Sequence, residues 1–148
     1  MGRGAPGLMK QLIALNSSIE KEAANVGLDQ RILELVKIRA SQLNGCAFCL
    51  DMHVRDARKL GESERRIYLL NAWREVDDYN EQERAVLALC DSMTRLSETQ
   101  DVPDEVYEQA LAVFTEDQYR VVGWGITVMN AFNRLNVTSR TPVPAEAK

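Results

Sequence analysis

The residues of this chain best suited to chemistry lie in one stretch, Glu34 to His53, reading ELVKIRASQLNGCAFCLDMH. Cys46 and Cys49 form a Cys-x-x-Cys pair. His53, the only histidine, follows four residues after the second cysteine, and Glu34 stands twelve residues before the first. Asn44-Gly45 interrupts a strongly apolar helical run just ahead of the pair. The stretch therefore reads as helix, tight turn, helix, with the cysteines opening the second helix. Residues three and four apart share a helix face, so Cys46, Cys49 and His53 place two thiols and an imidazole on one stripe. Such a dithiol can close a short disulfide ring and reopen it.

The nucleophile in that chemistry is the thiolate, and a free thiol has a pKa of about 8.5. Two local features favour ionisation, and they favour different cysteines. The unsatisfied N–H groups of the helix start favour Cys46. The imidazole of His53, one turn on, favours Cys49. The expectation is that Cys49 attacks and Cys46 resolves. An antiparallel return at Asn44-Gly45 brings Glu34 back to the level of His53, where a carboxylate orients the imidazole and holds a proton. The competing reading is half of a zinc site. Cys90 is the only further cysteine and there is no second histidine, so four ligands would require Glu34 or water, and no metal is expected.

The spacing of Glu34, Cys46, Cys49 and His53 behind an apolar helix resembles that of the AhpD-like alkylhydroperoxidases, the redox branch of the carboxymuconolactone decarboxylase family. The resemblance runs from about Asp29 to Val137 and includes the closing stretch Ile126 to Val137, ITVMNAFNRLNV. It implies an all-α fold and peroxide reduction through the cysteine pair, with Glu34 and His53 as the proton relay. It also implies that an external dithiol of lipoyl or thioredoxin type serves as reductant, with a peroxiredoxin as a further partner the family allows. No bound cofactor is implied. The implied assembly is a homo-oligomer, a trimer or a hexamer built from dimers. The decarboxylase branch shares the fold but is not built on this cysteine pair. Some AhpD proteins carry a second histidine just before the second cysteine; here that position is Phe48.

The 148 residues suit one domain, 1–148, with a core that needs no staples, and a 45% hydrophobic, 27% charged composition is globular. A net charge of −4 argues against a nucleic-acid surface. Three cysteines, an odd number, suit a reducing compartment, so the expected location is the cytoplasm. The start MGRGAPG has no apolar signal region, and Pro6 stands where a myristoylation signal wants Ser or Thr. No apolar run approaches the ~20 residues of a membrane span.

Apolar spacing and capping residues mark the elements. Leu8, Leu12, Leu15, Ile19 and Ala23 place a first helix over about Pro6 to Ala24, after a flexible end at 1–6. Asp29 caps a second helix through Leu43, apolar on more than one face and so buried on several sides. The cysteine helix reaches about Leu60, with Gly61 as its stop and a solvated face of Asp51, Arg55, Arg58 and Lys59. Ser63 caps a short helix, and Trp73 follows in a charged linker, Arg74 to Asp78. Asn80 and Glu83 form a capping box before a helix whose buried stripe is Ala85, Val86, Leu89, Met93 and Leu96. Cys90 beside that stripe reads as a small core residue. Pro103 suits the first turn of a helix over Asp104 to Val113. Thr115 and Gln118 cap the last helix, about Glu116 to Leu135, within which Gly123 and Gly125 suggest close helix approach. Residues 138–148 read as a tail. No segment alternates like a strand, so the fold expected is all-α, with six to seven helices.

Three functions compete: a thiol peroxidase, a disulfide reductase or redox sensor that keeps the dithiol but not the peroxide, and a decarboxylase-like lyase or acid-binding helical scaffold.

Overall fold

The computed structural model describes residues 5–145 and is all-α. Its helices are α1 (Pro6–Asn25), α2 (Gln30–Asn44), α3 (Ala47–Lys59), α4 (Glu64–Leu69), α5 (Glu81–Thr94), α6 (Leu96–Thr99), α7 (Asp104–Val113) and α8 (Glu116–Thr138), with a 3-10 segment at Leu70–Glu75. The local rules that set the boundaries are those written in the sequence. Asp29 accepts a hydrogen bond from the Arg31 amide, and Ser63 accepts one from the Arg66 amide. Both capping boxes, Asn80 with Glu83 and Thr115 with Gln118, are reciprocal.

The molecule is built around α2. Ten consecutive residues of this helix, Ile32 to Ser41, are buried. The helix packs against α3 on one side, α5 on another and α8 on a third. Cover on several sides explains why its apolar residues spread over more than one face, and its buried polar residues, Glu34, Lys37, Arg39 and Ser41, are each hydrogen-bonded. Leu35, Val36 and Ile38 meet Val86, Leu87, Leu89, Val122 and Ile126 in the core. Cys90 is fully buried there, with its sulfur against the Val36 carbonyl.

Several sequence expectations need correction. Leu96 lies outside α5, in the short α6, and is 47% exposed, because the chain turns at Arg95 before Leu96 can complete the buried stripe. Trp73 is buried, as a tryptophan of core or interface type would be, but it lies in the 3-10 segment Leu70–Glu75, which takes in the first two residues of the charged linker. Pro103 is the N-cap of α7 rather than part of its first turn. The last helix runs three residues beyond Leu135, so Thr138 belongs to it and not to a tail. Gly125 is a close approach, since a Cβ there would stand 3.3 Å from Leu33 Cδ2 on α2. Gly123 is not, with open space where its Cβ would be. Pro6 already belongs to α1, and the rest of the expected flexible start, apart from Ala5, lies outside the described residues, as do 146–148.

Candidate active site

The turn between α2 and α3 places the cysteines. Gly45 adopts a left-handed conformation with φ 65°, which a residue with a side chain adopts only at a cost. The Cys46 amide then reaches back to the Ser41 carbonyl and the Gly45 amide to that of Gln42, the paired bonds of a Schellman stop. Cys46 is at once the residue that closes α2 and the N-cap of α3. Cys49 falls in the first turn of α3, and the two sulfurs lie 2.7 Å apart, both as buried thiols.

The same turn folds α3 back along α2, so that His53 meets Glu34. His53 Nδ1 stands 2.9 Å from Glu34 Oε2, and both side chains are buried. The other carboxylate oxygen, Oε1, accepts a hydrogen bond from Lys37 Nζ at 2.8 Å. Burial alone would raise the Glu34 carboxyl; the His53 hydrogen bond and the Lys37 charge outweigh it and hold the group below its ordinary value. The four residues singled out by spacing are thus gathered as two contacting pairs, Cys46 with Cys49 and Glu34 with His53. No direct hydrogen bond joins His53 to either sulfur among the described residues.

A cavity of about 460 Å³ joins the pairs. Cys49 and His53 both line it, and Cys46 does not. Its walls are mostly apolar: Met9 and Ile13 from α1, Phe48 and Met52 from α3, and Phe132 from α8. Asn16 and Asn136 supply the polar edge. Phe48, where some relatives by resemblance carry a histidine, is part of the apolar wall.

Three asparagines on one face of α8, Asn130, Asn133 and Asn136, meet this turn, though their spacing from the cysteines did not single them out. Asn44 Nδ2 donates to Asn130 Oδ1 at 2.9 Å and to Asn133 Oδ1 at 3.0 Å, which ties the turn to α8. Asn133 Nδ2 donates to Ser41 Oγ, and Asn136 Nδ2 donates to Cys49 Sγ at 3.5 Å. The signal was there to find: polar amides at three-residue intervals inside an otherwise apolar helix stripe. Their effect on Cys49 is electrostatic. Burial pushes the Cys49 thiol up, to about 12, and the Cys46 contact adds to this, while the amides of Asn133 and Asn136 act in the opposite direction.

Glu34, His53 and Asp56 bring their ligand atoms within 4.8 Å of one another. Cationic groups already occupy that set, with Lys37 on Glu34 and Lys59 on Asp56 at 2.6 Å. Two ammonium groups on the same carboxylates compete with a metal cation, so this arrangement fits an ion-pair network better than a metal centre.

Known proteins share this architecture. The model of the carboxymuconolactone decarboxylase family matches residues 6–92, which include all four residues of the two pairs. The uncharacterised protein YdfG of Bacillus subtilis (strain 168) is 44% identical over 119 residues, 80% of each chain. A crystal structure of an Agrobacterium tumefaciens protein of unknown function, provisionally described as an antioxidant defence protein AhpD, superposes with a TM-score of 0.90 at 38% identity, covering 98% of this chain and 96% of that one. An uncharacterised peroxidase-related protein from Silicibacter sp. TM1040 shares the fold at 18% identity, with a TM-score of 0.76 over 92% of this chain and 70% of that one. From the family match over more than half its length and the identity to these relatives, the chain belongs to the carboxymuconolactone decarboxylase family and has an AhpD-like fold.

Proposed function

We propose that this protein is a thiol peroxidase that reduces hydroperoxides through the Cys46–Cys49 dithiol, with His53 and Glu34 as its proton relay. One observation carries the reading. A dithiol sulfur, Cys49, and an imidazole fixed by a carboxylate line the same apolar-walled cavity. The provisional description of the Agrobacterium structure as an antioxidant defence protein agrees with it.

The chemistry balances within the site. Cys49 gives its thiol proton to His53, directly or through a molecule in the cavity, and its thiolate attacks one peroxide oxygen. The O–O bond breaks, Cys49 becomes a sulfenic acid, and the departing alkoxide takes the proton back from His53 to leave as an alcohol. The Cys46 thiol then attacks the sulfenic sulfur, forming the disulfide and releasing water. Two thiols are oxidised for each peroxide reduced, with no net proton change. An external dithiol, of lipoyl or thioredoxin type, must reopen the disulfide. The attack is given to Cys49 in this scheme because Cys49 lines the cavity and Cys46 does not. Burial and the Cys46 contact raise the Cys49 thiol, and a base beside it offsets that. A reducing compartment such as the cytoplasm suits this cycle.

The test is anaerobic titration of the reduced protein with a hydroperoxide, followed by addition of dihydrolipoamide. Loss of two thiols per peroxide, followed by renewed turnover, supports the peroxidase. A dithiol that exchanges with disulfides but ignores peroxide would favour the reductase or sensor. A dithiol inert to both would leave a lyase or scaffold.

A further inference from the structure

Lys37 is an unusual residue for its position. A lysine on a helix ordinarily lays its stem along the surface and keeps its ammonium in water. Lys37 is only 4% exposed, and its Nζ lies between two carboxylates, Glu34 Oε1 at 2.8 Å and Glu20 Oε1 at 2.7 Å. Glu34 is itself shared, with His53 Nδ1 on its other oxygen. The result is a chain of contacts, Glu20–Lys37–Glu34–His53, that runs from α1 through α2 to α3. Its outer end reaches water, because the Glu20 side chain is 40% exposed. Asn16 holds that end from within α1, donating to Glu20 Oε1 at 2.9 Å, and Asn16 also lines the cavity. Around Glu34 the charged and titratable groups are therefore Glu20 on α1, Lys37 on α2, and His53 and Asp56 on α3.

We propose that Lys37 and Glu20 are positioning residues of this site: Lys37 is a fixed buried charge that aims the Glu34 carboxylate at His53 and keeps it ionised, and Glu20 anchors Lys37 and tempers its charge.

A buried ammonium without a partner is very unfavourable, so α2 carries this charge only because both carboxylates meet it. Lys37 is not a link in a proton wire. Burial acts to lower its ammonium, but Glu34 and Glu20 outweigh that and raise it, so the group keeps its proton over the working pH range. What it supplies is a constant field. The relay's charge state is then set from behind, by Lys37 on α2 together with Glu20 on α1, the helix whose Met9, Ile13 and Asn16 also wall the cavity. The consequence for turnover rests on the peroxidase reading; the electrostatic arrangement itself does not.

Opposite signs make the test sharp. Removing Lys37 takes a positive charge from Glu34, and removing Glu20 takes a negative one. His53 is the only histidine, so its Nδ1–H proton gives one assignable NMR resonance that reports on the Glu34 carboxylate it faces. The experiment follows that resonance against pH in the reduced full-length protein, and in parallel the rate of thiol loss with cumene hydroperoxide. In Lys37→Met the pH at which the hydrogen-bonded resonance is lost should rise by about 1–3 units, the usual effect of an opposite charge on a carboxylate. The acid limb of the rate profile should move with it. Lys37→Arg should restore the wild-type midpoint. Glu20→Gln should move the midpoint the other way, to lower pH, and by less, because Glu20 is partly solvated. If Lys37→Met does not fold, the other two variants decide by the same criteria. Midpoints that move together in Lys37→Met and Glu20→Gln, or an unmoved or raised midpoint in Glu20→Gln, would overturn the proposal. Midpoints that divide as described while peroxide leaves every protein unoxidised would uphold it and overturn the peroxidase reading alone.

Discussion

In the peroxidase proposed above, Cys49 lines the cavity but holds a proton that is hard to remove, and the residues around it would offset that. Burial and the neighbouring thiol push Cys49 up to about 12, so near neutral pH almost none of it is thiolate. His53→Gln should therefore slow peroxide-driven thiol loss near pH 7 by about 10²–10⁴-fold, the usual contribution of a general base, with recovery as the pH rises. Glu34→Gln should lose less, in the same direction, because it disturbs the orientation of the base and not the sulfur. Because the two act as one hydrogen-bonded unit, the double variant should lose much less than the product of the single losses. The comparison is the pH dependence of thiol loss in the four proteins. Unchanged profiles in both single variants would remove His53 and Glu34 from the mechanism. Asn136→Leu removes a donor to the Cys49 sulfur and should also slow the reaction at pH 7. That variant should recover at a more alkaline pH than wild type, which a ultraviolet titration of the thiolate can check.

At the scale of elements, the Asn44-Gly45 turn does two tasks, and both were legible because they depend on local rules. A left-handed glycine ends α2, and the sequence to either side dictates helices, so Glu34 and His53 had to come close. Gly45→Ala should cost about 1–2 kcal/mol, the strain of a left-handed residue with a side chain, and should also reduce the rate of Cys46–Cys49 disulfide closure. The two glycines of α8 look alike in sequence and differ in the fold. Gly123→Ala meets open space and should stabilise by about 0.5–1 kcal/mol through helix propensity. Gly125→Ala meets Leu33, which is buried, so the clash should cancel that gain or reverse it. Urea midpoints of the two variants provide the measurement. Features that depend on tertiary partners were not legible. Leu96 fits the helical period of α5 but lies beyond its end. Lys37 reads as an ordinary solvated helix residue until Glu20 of α1 is seen against it. The α8 asparagines recur visibly at three-residue intervals, but nothing local says that Asn136 faces a sulfur.

For the whole molecule, buried ionisable groups set the pH range of stability. Glu34 and Asp91 are both held below their ordinary values of 4.5 and 3.8, against the opposing effect of burial. Asp91 is held by Arg39, which donates through Nε at 2.5 Å, and by Arg74. A lowered folded pKa contributes stability that is present above the unfolded value and lost as the pH falls through the folded one. Unfolding by acid should therefore begin below about pH 4.5. Asp91→Asn should cost about 3–5 kcal/mol by stranding the buried Arg39, tempered by the Asn71 and Gln42 oxygens that also meet it. Cys90 is shifted the other way. Burial pushes its thiol from 9.0 to about 12, so the folded state holds a proton that the unfolded chain releases, and stability should fall between pH 9.0 and about 12. Cys90→Ala should flatten that alkaline loss relative to wild type, as thermal melts across the range would show. The exposed Leu8 and Trp124, at 69% and 57%, are compatible with association of copies, and light scattering should find a trimer or a hexamer if the assembly expected by resemblance forms.

If the proposed function is right, Cys46 and Cys49 are a peroxide-driven dithiol. The most direct measurement adds one equivalent of cumene hydroperoxide to the reduced protein without oxygen, then maps its peptides by mass spectrometry. The expected result is the loss of two hydrogens on the peptide that holds both cysteines, one cumyl alcohol per protein, and an untouched Cys90. Oxidation of Cys90, a sulfinic acid on a single cysteine without a disulfide, or thiols that survive the peroxide would contradict it.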